Sequence, residues 1–488
     1  MNEERKTRNT SLIAKMLAAV MLMIFGGNVA WADDRPSPGT SGVSGPLTED
    51  LVLRQVEESH PLLHGTRTEQ AAARGQLLKA LGIFEPTLVN DWELERLVKD
   101  GSTRNVGFND TFLEMRHPWG PRAIVGFRAG IGDVEVADLG INKTNQPLLG
   151  IVFPLLRGFM INPEHAELER AELAGEQADI AMLQTRQDLF LGAATQFWDW
   201  VAAWKVAALR KHALQVAEDR ASQVEQRAEA GAVPLLEVVE ANEAVQRRQE
   251  HSIRAVRKAE QEALKLSLFL WEGSSTVLPD PQRIPDFPPH SPVPLREAME
   301  EEKHIAIQSR PEILAVKLEA KLNDIDLALA ENTFLPSLDL EAEPSRKVGD
   351  FVLGLGHRFG IQFRLPFLQR EARGEQLRAQ AQAQRLALLL NYRRQQVMMD
   401  IENARSAVHR AKERVEVSRR ALALAETLLK GERTRFTVGA TNLLFVNLRE
   451  RNMVQAGVRL IQARADYHKA LAFSQWASGM WVRTTTGS

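Results

Sequence analysis

The sequence predicts a mainly α-helical chain that also carries a membrane β-barrel portion, laid out as a duplicated helix–strand–strand–helix–helix unit. Three observations carry that prediction across the 488 residues. Two almost proline-free stretches have coiled-coil periodicity, one stretch alternates apolar and polar residues over the length of a membrane strand, and landmark motifs recur at fixed offsets.

At the N-terminus, Arg5, Lys6, Arg8 and Lys15 form a basic region, Met16 to Phe25 is an apolar run, and Ala30-Trp31-Ala32 is a small-x-small triplet before Asp33-Asp34. This pattern predicts an exported chain with a signal peptide over residues 1–32, cleaved after Ala32. The rival, an uncleaved anchor, would have to cross a bilayer on an apolar run about half the length a helix needs. Residues 33–46, rich in Pro, Gly and Ser, read as a flexible linker.

Composition narrows the class further. The chain is 44% hydrophobic and 25% charged, as ordered proteins are. Without residues 1–32 it keeps 57 basic and 61 acidic residues, a net −4 that argues against nucleic acid or anionic lipid as a bulk electrostatic partner. Cysteine is absent, which excludes disulfides, thiolate metal sites, cysteine nucleophiles and a lipidated N-terminal Cys. No later apolar run is long enough for a membrane helix. No catalytic, phosphate-binding or metal motif is present, so the expectation is a non-enzyme without cofactor. His60 and His64 are four apart, but Pro61 between them and the lack of a third ligand make a metal site a poor reading. The aromatic group Phe197, Trp198, Trp200 and Trp204 is read as helix packing.

The first repeat is placed at residues 47–293, with strands over about 87–155 and a long helical hairpin over 161–272. The second spans 294–482, with strands over about 337–367 and a hairpin over 369–479, leaving 483–488 as a short tail. His60-Pro61 and Phe84-Glu85-Pro86 recur 250 residues later as Arg310-Pro311 and Phe334-Leu335-Pro336. Arg227-Ala-Glu-Ala-Gly231-Ala-Val-Pro-Leu235-Leu236 recurs 208 later as Arg435-Phe-Thr-Val-Gly439-Ala-Thr-Asn-Leu443-Leu444. The offset falls because the first copy carries about 40 extra residues after Pro86. Those residues are expected to add a hairpin, either within the barrel or decorating it.

Each long helix, Asn162 to Ala230 and Gln369 to Val438, would run roughly 100 Å at the α-helical rise. In the second, Val397, Ile401, Ala404, Val408, Ala411, Val415, Ser418, Leu422, Ala425 and Leu429 alternate steps of four and three, the repeat of a coiled coil. The strand signal is clearest over Phe351 to Leu365. There Phe351, Leu353, Leu355, Phe359, Ile361 and Phe363 are expected to face lipid, alternating with small or polar residues. Ser337 to Glu343 is the expected hairpin partner. In the first copy Ala123, Val125, Phe127, Ala129 and Ile131 alternate similarly, followed by Leu149, Ile151 and Phe153. About four spanning strands per chain cannot close a barrel, and an open edge in hydrocarbon leaves backbone groups unpaired, so other subunits must close it.

The duplicated plan, the two Gly-Ala-x-x-Leu-Leu turns, the Phe-x-Pro before each first strand and the junction Pro154-Leu155-Leu156-Arg157-Gly158 resemble the TolC-like outer-membrane efflux family (outer membrane factors) over almost all of the mature chain. That resemblance implies a homotrimer with a twelve-stranded outer-membrane β-barrel and a long periplasmic α-helical tunnel. It also implies a periplasmic membrane-fusion adaptor and an inner-membrane pump of RND or ABC type as partners, in tripartite efflux or type I secretion. The periplasmic tip and adaptor contact then fall on Gly231, Ala232, Val233, Leu235 and Leu236, with Gly439, Ala440, Thr441, Leu443 and Leu444. The bland alternative for those leucines is packing inside the hairpin.

Acidic tip constrictions in the family imply such a role for Glu237 and Glu240, where threefold symmetry would crowd like charges and raise their pKa values. The second copy departs from this pattern with Phe445 and Leu448. Solvated positions on a helix face are the alternative for both glutamates. Two other classes compete for the whole chain, a periplasmic membrane-fusion adaptor and an envelope coiled-coil tether. Neither accounts for the lipid-patterned strands.

Overall fold

The computed structural model describes residues 45–99, 102–132, 135–136, 146–288, 296–344, 352–353 and 357–483. The expected signal peptide and almost all of the linker lie outside these residues, as do Phe351, Leu355 and residues 484–488.

Helices α1 (Glu49–Ser59) and α2 (Pro61–Gly82) are split at His60. A residue before proline is steered out of the helical region, and proline at the first position suits the next helix. His60 takes an extended conformation, and its ring accepts a hydrogen bond from the Leu62 amide at 3.3 Å. This histidine is a helix cap. The second repeat splits its helix at the matching place, where Arg310 is extended before Pro311 between α5 (Arg296–Ser309) and α6 (Pro311–Asn332), but without a side-chain cap.

Strands β1 (Thr87–Lys99), β2 (Ser102–Arg116), β3 (Arg122–Gly132), β5 (Gln146–Pro154), β8 (Ser337–Pro344) and β10 (His357–Arg364) form one antiparallel sheet in that spatial order. Two further two-residue pairings are separate: β4 (Glu135–Val136) with β9 (Val352–Leu353), and β6 (Trp271–Glu272) with β7 (Ser275–Thr276).

The strand expected over Phe351–Leu365 is described at β9, paired with β4, and at β10, paired with β8, while residues 354–356 between them lie outside the described residues. Among the described residues the sheet holds six strands where about four were expected, and the question left open for the extra residues of the first repeat is answered: they contribute β2 and β3 to it.

The two repeats meet where β5 pairs with β8, continued by the Leu155 amide donating to the Leu338 carbonyl at 2.7 Å. The β2–β3 turn is fastened to the start of the first long helix. Asn162 caps that helix by accepting from the His165 amide at 2.8 Å, and its Nδ2 donates to the Pro118 carbonyl at 2.8 Å. A Cβ on Gly120 would sit 2.3 Å from the Gly158 carbonyl oxygen, so only glycine fits that approach.

The long helices are α3 (Pro163–Glu229) and α7 (Arg370–Thr437), close to the expected bounds. Each returns through a shorter helix, α4 (Leu235–Ser267) or α8 (Leu443–Ala477), and a four-residue helix α9 (Met480–Arg483) follows. Near its strand end α3 packs on α2 through Leu168, Ala171 and Ala80, and further along on α4 through Ala203, Ala207 and Ala259. Small side chains at these contacts let the helix backbones approach closely. Seven of the ten seam positions in α7 are buried, and Ser418, Leu422 and Ala425 are half-buried. The main core gathers Phe190, Phe197, Trp198, Trp200 and Val201 against α1 and α8, so the aromatic group is packing. No helix among the described residues is long and apolar enough to cross a membrane.

Candidate functional site

Two regions carry the functional chemistry, the helix turns at one end and the sheet at the other. At the turns, Gly231 and Gly439 have φ of 73° and 74°. The Gly231 amide donates to the Ala228 carbonyl and the Ala232 amide to the Arg227 carbonyl, at 2.9 and 2.8 Å. Gly439 and Ala440 repeat this on Phe436 and Arg435 at 3.1 and 2.9 Å. Each turn is thus a helix C-terminal motif that needs a left-handed residue after the cap, which explains both glycines.

The turn leucines divide. Leu235 and Leu236 are 77% and 76% exposed, and Leu444 is exposed as well. Leu443 is fully buried against Val224 and Ala241, with Val233 and Phe436 beside it. Leu443 therefore joins the two hairpins, and the surface reading of that residue is withdrawn. The first residue of α8 points back into the bundle while the second points away, a divergence that residue type does not encode. Ala232 and Ala440 are exposed, and Thr441 is half-buried.

Glu237 lies half-buried in the first turn of α4. Glu240 lines a groove of about 340 Å³ between α4 and α8 of the same chain, with Arg210, Arg248, His251, Leu444 and Phe445. Its enclosed Oε1 has no hydrogen-bond partner there. The two glutamates thus sit in different surroundings within one chain.

A cluster that sequence reasoning missed sits just above the turns. Glu450 of α8 is buried and receives Arg220 of α3, Arg248 of α4 at 2.9 Å and Arg433 of α7 at 2.7 Å. Burial alone would raise its pKa, but the hydrogen bonds and charge of Arg220, Arg433 and Arg248 outweigh that and hold it at about 2. One carboxylate ties all four helices of the two hairpins.

At the sheet end, one face presents Leu88, Trp92, Leu94, Leu113, Met115, Val125, Phe127, Leu149, Ile151, Leu340, Phe359, Ile361 and Phe363, all exposed in the single chain. Phe359 and Ile361 reach 79% and 72%. Leu353 belongs to β9, outside this sheet. The opposite face carries Asp91, Glu93, Asp110, Glu114, Arg128, Asp339, Glu341, Gln362 and Arg364 by strand register. An apolar face backed by a polar one is the arrangement of a membrane barrel wall, lipid outside and water inside.

Long helical hairpins hung from a sheet with one apolar and one polar face are the arrangement that an outer-membrane channel would need. Residues 304–472, most of the second repeat, match the family model described as outer membrane efflux protein. That similarity covers about a third of the chain. Solved structures share its fold at low sequence identity. The outer-membrane channel OprN superposes with a TM-score of 0.67 at 14% identity, covering 88% of this chain and 89% of that one. The CmeC outer membrane channel of Campylobacter jejuni gives 0.64 at 12%, covering 93% and 90%. The MtrE outer membrane channel of Neisseria gonorrhoeae, solved in an open state, gives 0.64 at 16%, covering 88% of each. A comparison with the sequences of curated proteins gives no significant match.

Proposed function

We propose that this chain is the outer-membrane exit duct of a tripartite efflux system, working as a homotrimer with a periplasmic adaptor and an inner-membrane pump. The observation that carries the reading is the pairing of an exposed apolar sheet face with an open sheet. Unpaired edges at β1 and β10 cannot persist in hydrocarbon, so more copies of the chain must close the wall. Exposed apolar side chains along α7, among them Leu377, Leu388, Tyr392 and Met399, offer helix faces for the same neighbours.

In this reading the strands insert in the outer membrane and the hairpins reach into the periplasm, with the two glycine turns at the far tip. Leu235, Leu236 and Leu444 form the apolar adaptor contact, set on turns whose shape is fixed by Gly231 and Gly439. Glu237 is the tip constriction residue, while Glu240 faces its own chain's groove. Cargo passes through passively, with energy supplied by a pump of RND or ABC type.

Deleting the chain should make cells retain a dye that they otherwise export. A variant with Leu235→Asp, Leu236→Asp and Leu444→Asp should still fold and reach the outer membrane, shown by barrel-type heat-modified gel migration, yet fail to restore export. Full export by that variant would reject the adaptor contact, and unchanged dye retention on deletion would reject the efflux role.

A further inference from the structure

We infer that the closed wall is an eighteen-stranded barrel in which the additional hairpin of the first repeat is part of the membrane surface; this rests on the trimeric-channel reading above. Alignment of the repeats identifies which strands are additional. Strand β1 follows Phe84-x-Pro86 as β8 follows Phe334-x-Pro336, and β5 leads into α3 as β10 leads into α7. Strands β2 and β3 therefore have no counterpart among the described residues of the second repeat.

They are nonetheless continuous with the wall. Strand β2 pairs with β1 from Thr87↔Glu114 to Lys99↔Ser102, and with β3 from Val106↔Gly132 to Arg116↔Arg122. Strand β3 in turn pairs with β5. Among the described residues, strand β1 reaches the rest of the sheet only through β2 and β3. In the second repeat, by contrast, β8 and β10 are direct neighbours. At 13, 15 and 11 residues, β1, β2 and β3 each meet the length of a membrane-crossing strand.

Side chains fix the hairpin in place on both faces. Within the polar face, Arg128 of β3 clamps Asp110 of β2 through two bonds of 2.6 Å, and its guanidinium lies 4.3 Å from the Phe108 ring centroid. On the outward face, β1 and β2 interrupt the apolar surface with Asn90, Asn109 and Thr111. These bond one another, with Asn90 Nδ2 donating to Thr111 at 2.6 Å and to Asn109 at 3.2 Å, while the Trp92 indole donates to Asn90 Oδ1 at 2.5 Å. The polar interruption is internally paired, as hydrocarbon requires.

An even number of added strands also preserves closure. The six strands alternate in direction, so β10 of one copy and β1 of the next meet antiparallel. Three copies supply eighteen strands, and because barrel diameter grows about linearly with strand number, the wall is about one and a half times as wide as one of twelve.

The natural chain has no cysteine, so introduced pairs report without background. Val125 and Leu149 face each other across β3 and β5, within disulfide reach for directly opposed strand residues. Leu88 of β1 and Phe363 of β10 are each one residue in from the helix-side rim. The test is oxidation of outer-membrane-embedded protein carrying Val125→Cys with Leu149→Cys, or Leu88→Cys with Phe363→Cys (Ile361→Cys as the register neighbour). The expected result is an intrachain bond from the first pair and covalent trimers from the second. Covalent trimers without the intrachain bond, and an intrachain bond from Leu88→Cys with Phe153→Cys instead, would mean that β1 abuts β5 and the hairpin lies off the wall. That outcome overturns the inference and leaves the trimer standing. Absence of any interchain bond in membrane-embedded protein overturns both.

Discussion

Glu450 draws in arginines from three other helices beside the glycine turns. Its carboxyl titrates at about 2 in the fold against 4.5 ordinarily. A depressed carboxylate pKa contributes stability that is fully present above the unfolded value and is lost as pH falls through the folded one. Glu450→Gln should therefore destabilise the purified protein near neutral pH by about 3 kcal/mol, since it strands buried arginine charge. The gap to the wild type in thermal unfolding should close between pH 4.5 and about 2. A constant gap across that range would assign the loss to packing. Nothing local in the sequence announces this cluster, whose members are scattered over more than 200 residues and resemble the solvated charges of any long helix. Glycines were more legible. Gly231→Ala should cost about 1–2 kcal/mol in denaturant unfolding, the penalty of a left-handed alanine with open space around it. Gly120→Ala adds a backbone clash and should cost about 3 kcal/mol or more. Equal costs at the two sites would mean that the β2–β3 turn is not held against α3.

Among the elements, the long helices were the easiest to read. A period of 3.5 residues sustained over many turns survives single exceptions such as Ser418, and the glycine turns ended each run within a residue or two of the observed boundary. The β2–β3 hairpin was not legible in the same way. Alternation along β2 is scrambled, with Phe108 and Phe112 on the polar face and Asn109 and Thr111 on the apolar one. Phe108 is there because it packs under Arg128, and the outward amides are there because they pair with each other. Both are tertiary reasons that period-two counting cannot see. Strand β10 shows the clean pattern. Ile361→Arg, placed mid-strand on the lipid face, should weaken barrel assembly by about 2–4 kcal/mol and lower the temperature at which heat-modified migration is lost. Gln362→Arg, on the opposite face, should leave that temperature nearly unchanged. Similar losses at both positions would contradict the assignment of the two faces.

The whole molecule is a chain whose parts do not finish themselves. Among the described residues, two sheet edges and several apolar helix faces are left without partners, and the repeat makes a protomer that presents similar hairpins side by side. The sequence conveyed that incompleteness through its period and its repeats, while the number of strands in the sheet depended on a pairing order that only the structure displays. The most direct test of the channel account is the native mass and shape of the protein extracted by detergent from the outer membrane, by multi-angle light scattering with electron-microscope images. The account predicts a trimer with a short barrel and a helical tube on the order of 100 Å long, set by the rise of α3 and α7. A monomer or dimer released in soluble form without detergent would contradict it.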